Sequence, residues 1–348
     1  MSQRTAAIRC RPYEARDAAL WDDFVRADPA GTFFHLSAWR CVIERAFGHR
    51  PHYLLAERDG EIAGVLPLVE VRTRLFGHTL ISNPFCVYGG PLARDGETAA
   101  ALAAEAASLR AKTGARAVEF RYRDEPGTDW TAGPDLYVTF RKEIAATDEA
   151  NLAAIPRKQR AMVRKAIANG LQSRITRDAN ALHRIYAESV RNLGTPVFAR
   201  RYFRLLLEAF GEDCDILVVE DGGQDIAAVM NFYFRDEVLP YYGGGTSAAR
   251  GRAGNDFLYW EVIRHASARG LRRFDFGRSK RGTGAFAFKK NWGFAPTPLH
   301  YRFSLAPGAA IPEINPHNPK YRLFIAGWKR LPLPLANLLG PMIVRGVG

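Results

Sequence analysis

The sequence is poor in cysteine, and this shortage argues against two kinds of stabilising site. The 348 residues contain four cysteines, at Cys10, Cys41, Cys86 and Cys214. No two of them form a C-x-x-C pair, so neither a structural zinc site nor a disulfide framework is indicated. Scattered cysteines of this kind are typical of reduced thiols in a cytoplasmic protein.

Long apolar runs and nucleotide-binding motifs are also missing. No segment reaches the roughly 18 apolar residues of a membrane-spanning helix, and residues 1–10 lack the apolar core of a signal peptide. We therefore expect the protein to fold and stay in the cytoplasm. No G-x-G-x-x-G or G-x-x-x-x-G-K-[ST] motif follows a predicted strand, so nucleotide hydrolysis is not indicated.

Acidic residues are outnumbered by basic ones, 36 against 49, which gives a net charge of +13. Such a balance favours anionic partners: phosphates, RNA or an acidic membrane face. The alternative is a generally basic surface without a specific partner. The chain is long enough for two domains, and 47% hydrophobic residues suffice for ordinary cores.

An internal repeat organises the chain. Residues 54–66 and 217–230 each contain an apolar strand, an acidic-Gly turn and a second apolar strand, which predicts a β-hairpin. A Tyr-Gly-Gly sequence, at residues 88–90 and again at 242–244, then predicts the end of another strand. In each half a helix, a glycine stop and a short strand follow: 97–112, Gly114 and 117–120, then 255–269, Gly270 and 273–276.

Helices also precede each hairpin, at residues 37–48 and 200–211. Apolar stripes at helical spacing predict core faces: Phe203, Leu206, Leu207 and Phe210 in one helix, and Leu182, Ile185, Tyr186, Val190 and Leu193 in another. The order of elements predicts an α+β fold with a mixed sheet in each half. The expected division is 1–150, 151–305 and a tail over 306–348.

Three segments are candidates for chemistry, and the first is a basic helix over residues 155–170. Its cations are Arg157, Lys158, Arg160, Arg164 and Lys165. Val163 and Ile167 share another face, which would dock on the protein. Arginine forks match phosphate oxygens, so the helix is a candidate diphosphate or RNA-phosphate clamp. The alternative is a solvated basic face.

The second segment is glycine-rich and covers residues 241–255. Glycines allow close approach of a ligand to the backbone, and Asn255 is the predicted N-cap of a helix whose amino terminus would face an anion. Tyr242 lies in this segment and is a candidate catalytic residue. The alternative is a flexible glycine-rich turn.

The third segment covers residues 274–294. Asp275 ends a short strand and is a candidate to orient a partner or accept a proton. Lys289 is a candidate to stabilise oxyanion charge, and Arg278 and Phe288 are candidate substrate-binding residues. The alternative is that Asp275 pairs with an arginine and that the lysines are solvated. We find no covalent nucleophile and no metal cluster in the pattern.

Together, four motifs resemble the FemAB family: the helix R-K-x-x-x-x-x-R-K-A-x-x-x-G, Tyr-Gly-Gly, Phe-Asp-Phe-Gly, and F-K-K-N-W-G-F. The resemblance covers residues 30–304. It implies two tandem GNAT (acyl-CoA N-acyltransferase-like) domains, each a mixed sheet flanked by helices. Characterised members transfer amino acids from aminoacyl-tRNA to an amine of a peptidoglycan precursor. The tail, with Asn-Pro-Lys-Tyr at 318–321, is similar to FemAB-related proteins of exosortase (PEP-CTERM) and exopolysaccharide systems.

The resemblance also implies site residues. Phe288-Lys289 matches the family's Phe-Lys position at the acyl-transfer centre, and Arg164 and Lys165 match its basic helix. Acyl-CoA enzymes carry a pyrophosphate loop where residues 250–254 lie, and this stretch fits their pattern poorly. The family's tRNA-facing helical insertion is absent. Aminoacyl-tRNA and acyl-CoA are thus the candidate donors, with no tightly bound cofactor.

The expected activity is amide formation on an amine of a phosphate-bearing cell-envelope or exopolysaccharide precursor. Alternatives are an acetyl-CoA or acyl-carrier-dependent N-acetyltransferase, a non-catalytic membrane-surface scaffold, and RNA binding. Residues 321–348 contain a proline-broken apolar stretch with basic flanks and Trp328 at its boundary. This pattern predicts interfacial binding to anionic lipid at the inner membrane face. The alternative is that the tail packs on the first domain.

Overall fold

A computed structural model describes residues 7–73, 77–311 and 319–346, with side chains of 319–322 left out. The chain divides into two compact units. Unit 1 comprises Met1–Asp135, Leu299–Glu313 and Arg345–Gly348, and unit 2 comprises Leu136–Pro298 and Ile314–Val344. Residues 1–6 lie outside the described residues. They make up most of the segment 1–10, in which the sequence shows no apolar core of a signal peptide.

The strands and helices have the following bounds. The strands are β1 (Arg9–Pro12), β2 (Arg50–Pro51), β3 (Leu54–Arg58), β4 (Glu61–Leu66), β5 (Val69–Thr73), β6 (Gly77–Ile81), β7 (Leu92–Ala93), β8 (Ala117–Tyr122), β9 (Thr131–Ala132), β10 (Tyr137–Glu143), β11 (Gln172–Thr176), β12 (Cys214–Asp221), β13 (Gln224–Phe234), β14 (Glu237–Gly245), β15 (Arg273–Asp275), β16 (Ser279–Lys280), β17 (Pro296–Pro298) and β18 (His300–Leu305). The α-helices are α1 (Ala18–Ala27), α2 (Ala38–Phe47), α3 (Gly96–Thr113), α4 (Asp148–Ala154), α5 (Arg157–Ala168), α6 (Ala179–Leu193), α7 (Arg200–Phe210), α8 (Ser247–Gly251), α9 (Gly254–Ala268), α10 (Gly284–Asn291), α11 (Pro319–Trp328) and α12 (Leu333–Val344).

Unit 1 contains two sheets. One has the strand order β1-β3-β4-β7 and the other β2-β5-β6-β8-β18-β9. In the second sheet β6 and β8 pair in parallel, while its other recorded pairs are antiparallel. Helix α3 connects this parallel pair and packs on the sheets through Leu102 and Ala106, which are fully buried. It ends at Gly114, whose φ of 72° suits a left-handed C-cap.

Unit 2 is built on one eight-stranded sheet. Its order is β11-β12-β13-β14-β15-β10-β16, and β17 pairs with β10 as well. Strands β14 and β15 pair in parallel, and helix α9 connects them. The predicted stripe of α7 is buried as expected, with Phe203 and Leu206 fully inaccessible. In α6, by contrast, Leu193 is 67% exposed, because it lies at the last residue before the Gly194 cap.

In both units a β-hairpin precedes a helix whose flanking strands pair in parallel. Unit 1 departs from the predicted order, because three strands, β5 to β7, lie between its hairpin and α3, where unit 2 has β14 alone. The second Tyr-Gly-Gly ends β14 as predicted. The first is a correction, since residues 82–91 form a loop beyond β6 in which Gly90 has a φ of 87°. Gly89 in that loop donates its N–H to the carbonyl of Arg121.

Each unit also has a sheet that includes a strand distant in sequence. In unit 1 β18 pairs with β8 over its whole length, from His300↔Tyr122 to Leu305↔Ala117. In unit 2 β10 pairs with β15, β16 and β17. Residues 136–150, assigned by sequence to the first domain, therefore lie in the second compact unit.

Of the tail, Ile314–Val344 belongs to unit 2, whereas residues 306–313 and Arg345–Gly348 belong to unit 1. Leu333 contacts the cluster of Ala187, Val190 and Val197 beside α6. No helix of the described residues is long and apolar enough to cross a membrane. The predicted motif at 318–321 lies outside the described side chains.

Candidate functional site

The parallel strands β14 and β15 separate soon after they meet. Their pairing consists of Glu237↔Arg273 and Val238↔Phe274. Strand β14 then continues beside β13 to Gly245, while the segment after β15 turns at Gly277, whose φ is 65°. We call this point the strand divergence. Four candidate residues of unit 2 lie on or around the turn that follows it: Asp275, Arg278, Phe288 and Lys289.

Lys289 of α10 is directed at that turn. Its Nζ donates to the carbonyl oxygens of Phe276, Gly277 and Arg278, at 2.7, 3.1 and 3.2 Å. Burial lowers the pKa of Lys289 to about 7, and the charge of Asp275 opposes that shift. Three carbonyls match the three N–H groups of an ammonium. Lys289 therefore fixes the turn. The sequence analysis expected its ammonium group to contact the charge of the substrate, whereas here the group contacts backbone carbonyls.

Asp275 lies at the end of β15 and is 1% exposed. Its Oδ1 accepts hydrogen bonds from Thr139 Oγ1 at 3.2 Å and from the backbone N–H of Gly277 at 2.6 Å. Its Oδ2 lies 3.5 Å from Nε of Arg141. Asp275 thus pairs with an arginine, as the alternative interpretation of the sequence predicts. Its carboxylate holds β10 and the turn together.

Glu237 is a buried site residue that the sequence analysis missed. Arg141 Nε donates to its Oε1 at 2.8 Å and lies 3.5 Å from Oδ2 of Asp275, so two carboxyl groups share one guanidinium. Burial, followed by the charge of Asp275, raises the pKa of Glu237 to about 7. The only local signal is an acid at the start of an otherwise apolar strand; its partner comes from β10.

Two further predicted residues join this cluster. The guanidinium of Arg278 lies over the ring of Tyr137, 4.7 Å from its centroid. The ring of Phe288 packs between Tyr259 and Trp292, at centroid distances of 5.5 and 6.2 Å. The structure thus brings Lys289, Asp275, Arg278 and Phe288 together around the residue 276–278 turn. Lys290, in contrast, is exposed.

Tyr242 belongs to a different cluster. Its hydroxyl hydrogen-bonds that of Tyr202 at 2.7 Å in a buried position. Around it lie the rings of Tyr186, Phe198 and Phe203, each within 6.0 Å. Since the recorded contacts of Tyr242 are those of a packed aromatic core, the catalytic role expected for it has no geometric support.

The glycine run after Tyr242 serves internal packing. A Cβ on Gly244 would lie 2.3 Å from Ser189 Oγ of α6, and one on Gly245 would lie 2.5 Å from Asn255 Oδ1. Asn255 is not the N-cap of α9, because the N-cap is Ala253 in the left-handed conformation and the helix begins one residue earlier than predicted. Protein atoms, and not a ligand, therefore lie close to Gly244 and Gly245.

Helix α5 presents the predicted cations. Val163 is buried together with Gln159 and Ala166, whereas Ile167, expected on the docking face, is 49% exposed. The buried stripe follows the i, i+4, i+7 spacing, and Ile167 falls outside it.

The cations of α5 face solvent. Arg157, Arg164 and Lys165 are exposed and Arg160 is half-buried. Within the described chain no carboxylate within 4.0 Å of these four is recorded. Pro156, next to Arg157, lies 3.1 Å from where a Cβ of Gly293 would be. The basic helix thus begins beside the end of the F-K-K-N-W-G-F segment.

Unit 1 has a cavity of its own, with a volume of about 760 Å³. His35, Tyr88, Tyr122 and Trp130 are among the residues that line it. Burial lowers the pKa of His35 to about 4, so this imidazole is neutral at physiological pH. No group of three metal-ligating side chains is present in the described residues of either unit.

With this geometry in place, comparison with known proteins identifies the architecture. Residues 157–290 match the family described as Acetyltransferase (GNAT) domain. The structure of FemX covers 84% of this chain and 96% of its own, with 16% identity and a TM-score of 0.67. This chain has the GNAT fold.

Two other solved structures of this fold are similar. The C-terminal domain of a putative lysylphosphatidylglycerol synthetase from Agrobacterium fabrum covers 85% of this chain and 94% of its own, with 15% identity and a TM-score of 0.57. A tandem GNAT protein from the clavulanic acid biosynthesis pathway covers 88% and 100%, with 14% identity and a TM-score of 0.55. The expected tandem GNAT fold is confirmed. A search of curated protein sequences found no match.

Proposed function

We propose that this GNAT-fold chain is an acyl- or aminoacyltransferase that forms an amide on an amine of a cell-envelope or exopolysaccharide precursor. The observation that carries the proposal is the strand divergence of unit 2, with Lys289 fixing the turn at its edge. The match of residues 157–290 to a GNAT acetyltransferase domain supports acyl transfer as the reaction class.

The reaction has simple requirements. The amine nitrogen of the acceptor attacks the carbonyl carbon of the activated donor, and a C–N bond forms. The bond to the donor's sulfur or ribose oxygen breaks, and the proton lost by the amine passes to that leaving group. The protein must hold both carbonyl and amine in line, because orientation accounts for much of the barrier reduction in such transfers.

The residues of the cluster are positioning residues in this proposal. Lys289 fixes the carbonyl groups of residues 276–278, and Asp275 with Arg141 fixes the strand that leads into them. A fixed turn beside the divergence holds the backbone next to the proposed donor site in one conformation, so the reacting groups can be aligned without rearrangement of the turn.

Helix α5 is the proposed binding site for the phosphate groups of the acceptor. Its exposed Arg157, Arg164 and Lys165 face solvent and have no recorded carboxylate partner in the described chain. Like charges on one short helix repel one another, and a diphosphate would relieve that repulsion.

The donor separates this proposal from its first alternative. Aminoacyl-tRNA is the donor implied by the FemAB resemblance, and acyl-CoA is the donor of an N-acetyltransferase. The poor pyrophosphate pattern at residues 250–254 favours the former, since Arg252 there donates to Asp221 and to the carbonyl of Asn169 instead of standing free. Calorimetric titration with coenzyme A discriminates: micromolar binding would establish the alternative.

The acceptor is best identified in cells. A strain that lacks this chain should accumulate an unmodified amine-bearing envelope or polysaccharide precursor, visible by mass spectrometry of envelope metabolites. Complementation by the wild-type chain should remove it. An unchanged profile in the deletion strain would contradict the enzymatic proposal and favour the second alternative, a non-catalytic scaffold of an export or exosortase system.

A further inference from the structure

Helix α12 is apolar on both of its faces. Ala336, Gly340 and Val344 are buried, at the i, i+4, i+8 spacing of one helical face. A Cβ on Gly340 would lie 2.9 Å from the backbone of Val197, so this face packs tightly against unit 2. The buried face accounts for three of the 12 residues of the helix.

The opposite face carries large apolar side chains into solvent. Leu335, Leu338, Leu339 and Met342 follow the i, i+3, i+4, i+7 spacing and are 47%, 68%, 40% and 73% exposed. An amphipathic surface helix places polar residues at such positions. A helix that is apolar all round needs a second apolar surface to cover it.

The apolar surface extends beyond α12. Leu323 and Phe324 of α11 and Leu193 at the end of α6 are exposed as well. The elements are joined, because Ile325 of α11 meets Gly194 directly after α6. Of the ten exposed large hydrophobic residues in the described chain, seven thus belong to these neighbouring elements. We call these seven side chains the tail patch. Trp328, expected at its boundary, is buried instead.

The charged side chains of residues 319–348, which supply α11 and α12, are all basic. Lys329 and Arg330 are exposed in the turn between α11 and α12, and Arg191 donates to the carbonyl of Lys329 at the end of α6. Residues 319–348 contain no aspartate or glutamate. A second copy of the same patch would bring these cations towards each other, which a symmetric dimer disfavours. Anionic lipid headgroups complement them.

We propose that the tail patch docks on an anionic bilayer surface, with α12 lying in the interface. At 12 residues α12 is about 18 Å long, too short to span the hydrocarbon core. Its exposed leucines and Met342 enter the boundary between headgroups and acyl chains, while Lys329 and Arg330 contact lipid phosphates. Lipid binding requires no turnover, so failure of this proposal and failure of the transferase proposal are distinguishable.

The test is flotation of the full chain with vesicles. One set contains equal parts of phosphatidylglycerol and phosphatidylcholine, and the other contains phosphatidylcholine alone. Wild type should bind the anionic vesicles, and Leu338→Glu/Met342→Glu should reduce the partition coefficient at least about tenfold, since two apolar side chains no longer enter the bilayer. Leu20→Glu is the matched control: Leu20 is 61% exposed in unit 1, and its variant should bind like wild type.

Charge is tested separately. Lys329→Glu/Arg330→Glu should abolish the preference for phosphatidylglycerol, because it reverses the charge at the rim. Equal flotation of wild type and Leu338→Glu/Met342→Glu would overturn the proposal. So would absence of vesicle binding together with a wild-type dimer in sedimentation that the double variant loses, since the patch would then pair two copies. Circular dichroism confirms that each variant is folded.

Discussion

The guanidinium of Arg141 lies 2.8 Å from the carboxyl group of Glu237, across the strand that carries Asp275. Three strands of unit 2 are therefore tied together by one buried charge cluster at the strand divergence. Lys289 ties the following turn to α10. These two sets of contacts define the candidate site.

Lys289→Met should lower the transfer rate about 10²-fold, because a turn displaced by about 1 Å misaligns the reacting groups. The measurement is complementation of the deletion strain, followed by the rate once the acceptor is known. Lys290→Met is the control, since Lys290 is exposed and adjacent. Lys289→Arg should restore little, because a planar guanidinium does not fit three converging carbonyls. Full activity of Lys289→Met would contradict the assigned role.

Glu237 should make folding stability fall as pH rises from about 4.3, the value of a free glutamate, to about 7. In that window the folded state retains a proton that the unfolded state has released, so deprotonation favours unfolding. Glu237→Gln should flatten this slope in urea unfolding between pH 5 and 7. Asp236→Asn, at a neighbouring half-buried carboxylate, is the control and should leave the slope unchanged. An identical slope in Glu237→Gln would refute the prediction.

Lys289 should change folding stability at higher pH than Glu237 does. Its folded pKa of about 7 lies below that of a free lysine, about 10.4, so the unfolded state binds more protons between the two values. Stability should therefore rise with pH in this range, and Lys289→Met should remove the rise. Urea unfolding between pH 7.5 and 10 measures it, with Lys290→Met again as control. A rise that persists in Lys289→Met would assign the titration to another group.

Gly244→Ala should destabilise the protein by about 1–3 kcal/mol, since the new methyl group would overlap Ser189. Ser189→Gly should rescue much of the loss in the double variant. Gly96→Ala is the control, because nothing lies within 4 Å of its Cβ position. If thermal unfolding showed Gly244→Ala to be as stable as wild type, the packing role of the glycine run would be wrong.

Arg157→Ala/Arg164→Ala should weaken binding of inorganic diphosphate about tenfold or more in calorimetry, without loss of stability. Both side chains are exposed, so their removal leaves the core intact. Arg16→Ala/Arg94→Ala changes the net charge equally in unit 1, where these side chains are 77% and 56% exposed. Equal weakening by both pairs would mean that the general positive field, and not α5, attracts the anion.

Much of the fold could be predicted because its signals are local. Alternating strands, helical stripes and left-handed glycines such as Gly114 and Gly270 act over a few residues, and they placed the hairpins and helices of both halves. The first Tyr-Gly-Gly misled, because two glycines permit a loop as readily as a strand end. Leu193 and Ile167 were predicted to be buried and are exposed. Helical spacing alone does not determine which residues at the edge of an apolar face pack against the protein.

The candidate site was predicted only in part. Asp275, Lys289, Arg278 and Phe288 lie close in sequence, and their motif brought them to notice. Glu237 and Arg141 were missed because they are 96 residues apart, and nothing near either residue specifies the other. Tyr242 is a candidate through its place in the glycine-rich segment, and alternation along β14 turns its side chain into an aromatic core.

The sequence by itself determined the duplication, the mixed sheets and the basic helix, since hydrophobic period and backbone freedom are properties of neighbouring residues. The tertiary structure decided which charges meet. Strand β10 joins the eight-stranded sheet of unit 2 and places Arg141 beside two carboxyl groups. Three carbonyl groups converge on Lys289. Electrostatic contacts in a buried site depend on distance and burial, and both are set only when remote strands pair.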